Sequence, residues 1–170
     1  MLQRPSEEEY ASFYTGYIGL VPDGEYASLL TNQEQALLTL FSGLSEDKAL
    51  FRYADGKWSI KEVLAHITDT ERIMCYRMLR ISRGDTTDLP GFDQDIFIDN
   101  NTFDEVPLKD LIQDFQAVRK ATLSLLPTIS EAAWARKGTA NSFVITARAL
   151  AYVIVGHTQH HMNIVEQKYL

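Results

Sequence analysis

Four stretches of this chain carry apolar residues in alternating steps of three and four, the spacing of one helix face. The first runs from about 24 to 44, after the turn Pro22-Asp23-Gly24. Its stripe is Tyr26, Leu30, Leu37, Leu40 and Leu44, with Gln33 as a polar intruder. The second runs from 59 to 83, before Gly84, with Ile60, Val63, Leu64, Ile67, Met74, Met78 and Ile81 on its apolar face. Ser59-Ile60-Lys61-Glu62 opens it as a capping box, in which the serine oxygen and the glutamate carboxylate satisfy each other's free N–H groups. The third begins at Pro107, a residue suited to a first helical turn, and carries Leu108, Leu111, Ile112, Phe115, Val118, Thr122 and Leu125 to about 126. The fourth runs from 147 to 168, with Thr146 as its N-cap. Four amphipathic helices of similar length, with no strand pattern between them, predict an all-α four-helix bundle.

The remaining segments are shorter or polar. Residues 6–14 predict a short helix after Pro5, Ser130 to Trp134 a single helical turn, and Lys137 to Ser142 a turn-rich link. Residues 85–106, with Pro90-Gly91, Asp93, Asp95, Asp99, Asn100 and Asn101, read as loop. A connection of that length inside a compact domain is usually functional or a crossover. Carrying the chain back along the bundle, it would make the second and third helices parallel and the first and fourth run opposite to them. The 170 residues are expected to form one domain, 1–170.

The fourth helix has a gap in its apolar series. Leu150, Val153, Ile154, Ile164 and Val165 leave two places in the stripe, and those are filled by His157 and His161, one turn apart. A buried imidazole needs partners for its ring nitrogens, and histidines at i and i+4 are spaced to chelate one divalent metal. A third ligand is available in His66 on the second helix. Antiparallel packing of the second and fourth helices would bring it to the height of His161. His160 points about 100° away from His161 and is expected at a rim or interface. Gly156, mid-helix, costs about 1 kcal/mol relative to alanine, which close helix approach beside the site would offset. Gln33 either hydrogen-bonds inside the core or sits near the height of the metal as a supporting contact. Metal affinity is expected to fall below about pH 6, where free imidazoles protonate.

Composition narrows the function classes. A net charge of −7 argues against a nucleic-acid surface and against docking on an anionic membrane. Phe143 to Gly156 is the longest apolar run; it is short for a membrane span and contains Arg148. The start of the chain turns acidic at Glu7-Glu8-Glu9 where a signal peptide would turn apolar, and the single cysteine, Cys75, excludes a disulfide framework. A cytoplasmic protein is the expectation. Phosphate loops, nucleophile elbows and credible Cys–His pairs are absent.

Two motifs resemble a known family. Gly56-Lys57-Trp58-Ser59-Ile60-Lys61-Glu62-Val63-Leu64-Ala65-His66-Ile67 resembles the start of the second helix in the DinB family. Gly156-His157-Thr158-Gln159-His160-His161-Met162-Asn163-Ile164 resembles its closing motif. The resemblance implies a four-helix bundle with a long crossover between helices two and three, often homodimeric. It also implies one divalent metal, usually nickel or zinc, on three histidines, here His66, His157 and His161. Some relatives are thiol-dependent S-transferases or isomerases that use bacillithiol, mycothiol or glutathione.

Three functions stay open at this stage. In a metal-dependent thiol S-transferase, a low-molecular-weight thiol would attack a small-molecule electrophile in a pocket shaped by residues 85–106, with Phe92 and Phe97. In a metal-dependent hydrolase, Glu62 or Asp69 would serve as general base to an activated water. The third is a non-catalytic metal-binding or stress-response protein. The catalytic residues and the choice of metal are not fixed by the sequence.

Overall fold

The computed structural model describes residues 2–170. Eight α-helices occur among them: α1 (Thr15–Gly19), α2 (Tyr26–Ser42), α3 (Glu46–Ala49), α4 (Ile60–Ser82), α5 (Gln94–Asp99), α6 (Leu108–Leu125), α7 (Glu131–Trp134) and α8 (Ala147–Ile164). The long ones, α2, α4, α6 and α8, form the expected four-helix bundle. Their ends follow the capping chemistry. Ser59 and Glu62 form the capping box at α4, and Thr146 accepts the Ala149 N–H at the start of α8. Beyond α8 the chain widens into one π turn, Val165–Tyr169.

Paired side chains fix the helix directions. Glu71 meets Arg119 and Arg83 meets Thr128, so α4 and α6 run parallel. Trp58 meets Tyr169 and His66 meets His157, so α8 runs opposite to α4. Tyr26 donates to the Ala151 carbonyl and Gln33 to that of Val155, so α2 and α8 run parallel. The order is up-down-down-up, as a crossover between the second and third long helices requires.

That crossover is not a plain loop. It holds α5, capped by Asp93, and a 3-10 turn, Phe103–Glu105. It is tied down at both ends. Near its start Leu89 pairs with the backbone of Thr139 and Asn141, and Arg77 donates to the Pro90 carbonyl at 2.7 Å. Near its end Asp104 accepts from Ser59 and Arg52. The predicted helix over 6–14 is two 3-10 turns, Glu7–Glu9 and Ser12–Tyr14.

The link before α8 departs furthest from expectation. It is an antiparallel hairpin of β1 (Lys137–Ala140) and β2 (Phe143–Thr146). Asn141 and Ser142 at its tip have φ of 52° and 65°, which gives a two-residue turn whose twist suits paired strands.

The apolar core falls into two halves. One contains Leu30, Met74, Met78, Leu150 and Val155. The other contains Leu37, Leu64, Ile67, Phe115 and Met162. On every long helix the boundary between them falls at buried polar residues: Gln33 on α2, His66, Thr70 and Glu71 on α4, Arg119 on α6, and His157 and Thr158 on α8.

Candidate metal centre

The polar layer has two parts. In one, Arg119 and Glu71, both fully buried, form a two-pronged ion pair with N–O distances of 2.8 Å. Arg119 also donates to the Leu30 carbonyl at 2.8 Å and to Gln33 Oε1 at 3.3 Å, and it lies over the Phe115 ring. Gln33 in turn donates to the Val155 carbonyl at 2.9 Å. Gln33 is thus a core hydrogen-bonding residue that ties α2 to α8.

In the other part, His66, His157 and His161 converge. One ligand-type nitrogen from each lies within 4.8 Å of the others. His66 Nε2 and His157 Nε2 face each other at 2.9 Å. Two nitrogens on a tetrahedral zinc, with bonds of about 2.0–2.1 Å, lie roughly 3.3 Å apart, so the cluster needs only a small opening to fit such an ion. His66 and His157 are buried, and His161 is half-buried.

Their protonation suits the role. Burial, then the nearby His160, lowers His66 to about 4. Burial, then His66 and His160, lowers His161 to about 3. His157 is held well below the usual range by burial first, then by His161, His66 and His160. All three are neutral at pH 7, with lone pairs free for a cation. The limit near pH 6 expected for ordinary imidazoles therefore moves to lower pH.

Two aromatic rings wall the triad. Trp58 lies 4.9 Å from the His66 ring, and Tyr17 on α1 lies edge-on to His157 at 5.4 Å. Gly156 lets α1 come this close: a Cβ there would sit 2.0 Å from the Tyr17 carbonyl oxygen. His160 stands outside the triad, against Tyr17 and His161. A cleft of about 350 Å³ opens onto His161 between Tyr53, Trp58, Ile164 and Tyr169, with Lys57 and Asp95 also on its walls.

Several expected roles fall elsewhere. Glu62 caps α4 and pairs with Arg52. Asp69, raised by burial against the pull of Arg72, pairs with Arg72 at 3.1 Å. Phe92 and Phe97 do not line the cleft beside His161. Phe92 packs on Arg77 and Phe97, and the crossover contributes Asp95 instead. Composition could not reveal the Glu71–Arg119 pair, but position could. Glu71 fills the stripe between Ile67 and Met74, and Arg119 stands four residues after Phe115. Opposite charges in the buried stripes of two helices were the legible signal.

The fold and this triad define a class: a helical bundle whose polar centre offers three imidazoles that could hold a metal ion. The sequence profile of the DinB superfamily matches residues 29–165, and the chain belongs to that superfamily. Among solved structures it is similar to YfiT from Bacillus subtilis, with a TM-score of 0.73 and 16% identity, covering 84% of this chain and 82% of that one. YfiT is described as a probable metal-dependent hydrolase with an unusual four-helix bundle topology. At that identity the likeness speaks for the fold. No functionally curated protein matches the chain.

Proposed function

We propose that the protein holds one divalent metal, zinc or nickel, on His66, His157 and His161, and works as a thiol-dependent S-transferase. The observation that carries this reading is a neutral, all-imidazole cluster at the wall of an aromatic cleft. Three imidazoles leave the ion its full charge and a place for one more ligand. A metal bound there supplies Lewis acidity that keeps a thiol deprotonated near neutral pH. The thiol proton leaves to solvent, the sulfur forms a bond to the electrophilic carbon, and the leaving group departs with its electron pair. The chain's own part is to orient and to exclude water. Trp58 and Tyr17 wall the triad, and Tyr53 and Tyr169 give the cleft apolar faces for a small molecule.

This route asks for no protein base beside the triad, and the α4 carboxylates about one turn before and after His66 are committed: Glu62 to Arg52 and Asp69 to Arg72. Hydrolysis is the second reading. It is favoured by Asp95, a residue that lines the cleft with His161 and joins no ion pair among the described residues. The description of YfiT points the same way.

Cobalt substitution tests the thiol reading. Millimolar bacillithiol, mycothiol, glutathione or cysteine should add a sulfur-to-metal charge-transfer band to the spectrum of the cobalt protein. If none of the four changes the spectrum, the transferase reading gives way to hydrolysis or to simple metal binding.

A further inference from the structure

The outer face made by α4 and α6 leaves apolar side chains uncovered. A groove of about 710 Å³ runs between the two helices, and Cys75, Tyr76, Leu79, Ala117, Ala121 and Leu125 are among the residues that line it. Tyr76 is 51% exposed and Leu79 38%, one helical turn apart on α4. Large apolar side chains grouped on one face and ringed by charges mark a place where another molecule sits.

The charges say which molecule. An arginine bridges the two helical segments at each end of the groove. At one end Arg72 of α4 pairs with Asp69 at 3.1 Å and with Asp114 of α6. Two carboxylates on one guanidinium leave that end negative. At the other end Arg83 donates to the Thr128 carbonyl at 2.9 Å and to Thr128 Oγ1 at 2.6 Å. Arg80 nearby is neutralised by Asp85. Arg83 is exposed and joins no ion pair among the described residues, so this end stays positive. The two arginines stand roughly 16 Å apart along the helix, and their midpoint falls between Tyr76 and Leu79. The face is therefore its own complement. Turned end for end about that midpoint, Arg83 comes opposite Arg72 with its two carboxylates, and Tyr76 comes opposite Leu79.

We propose that a second copy of this chain sits on this face, the two α4 helices packing antiparallel across a two-fold axis. Tyr76 of each copy packs on Leu79 of the other, and Arg83 of each reaches Asp69 and Asp114 of the other. Every contact occurs twice, as a two-fold interface requires. None of the three converging histidines lines the groove, so this pairing and the metal reading stand or fall separately.

Charge reversals made in separate proteins test it, with mass read by sedimentation equilibrium. The parent should be a dimer at micromolar concentration. Arg83→Glu sets like charges together twice per dimer, and Asp114→Lys does the same, so each alone should weaken association about 100-fold or more. Mixed one to one, the two variants should recover the mass of the parent dimer, because one reversal then meets the other across the axis and the second pair is native. A variant that had failed to fold could not rescue its partner in this way. Leu79→Glu should be monomeric and should stay so when mixed with Arg83→Glu. A monomeric parent, single reversals that remain dimeric, or a one-to-one mixture that remains monomeric would each overturn the proposal.

Discussion

A histidine in the unfolded chain titrates near 6.5, and burial in the fold pulls His66 down to about 4 and His161 to about 3. The sign of the consequence is fixed. As pH falls through 6.5 the unfolded chain takes up protons that the folded chain refuses. Stability is full above pH 6.5, drops below it, and levels off only when the folded groups protonate near 4 and 3. Within its window each group contributes a slope of ~1.4 kcal/mol per pH unit. Urea midpoints of the metal-free protein should therefore fall steadily between pH 6.5 and 4.5. His66→Asn and His161→Asn should each flatten that fall. A profile unchanged by either substitution would mean that the imidazoles are not held neutral by burial.

At the scale of elements, the packing of α1 on α8 rests on one missing side chain. In an exposed helix Gly→Ala stabilises by about 1 kcal/mol. At Gly156 the new Cβ would collide with backbone, the Tyr17 carbonyl, which cannot swing aside as a side chain would. Gly156→Ala should cost about 1–3 kcal/mol in urea unfolding and should weaken metal binding, since Tyr17 walls His157. Stabilisation by the helix-propensity amount would show that α1 moves freely. The long helices were legible because each buries one stripe against a bundle, and their caps stood where Ser59 and Thr146 announce them. The hairpin was not legible as strand. Its turn, Asn141-Ser142, adopts positive φ without a glycine, and four residues a side are too few for an alternating pattern to stand out. The triad was legible for a different reason: three histidines interrupt two apolar stripes, and antiparallel packing leaves them one place to meet. The cleft in front of it was not, because Asp95 and Tyr169 reach it through the turn of α5 and the π turn after α8.

Across the whole molecule, two apolar half-cores are joined through a buried polar layer, and the layer holds both the ion pair and the histidines. The pair spans the bundle: Arg119 on α6 reaches Glu71 on α4 and Leu30 and Gln33 on α2, and Gln33 reaches α8 beside His157. Removing one partner leaves a buried charge alone. Arg119→Met should cost about 3–5 kcal/mol, and Arg119→Met with Glu71→Met should recover much of it. A double-mutant cycle on urea stability measures this coupling, and simple additivity of the two losses would contradict it. The central claim is that three histidines, and not the fourth, make one metal site. Zinc bound per chain after reconstitution and desalting tests it most directly. The parent and His160→Ala should each retain about one zinc, and His66→Ala, His157→Ala and His161→Ala should each lose most of it. A parent without zinc, or a His160→Ala loss as large as that of His157→Ala, would contradict the assignment.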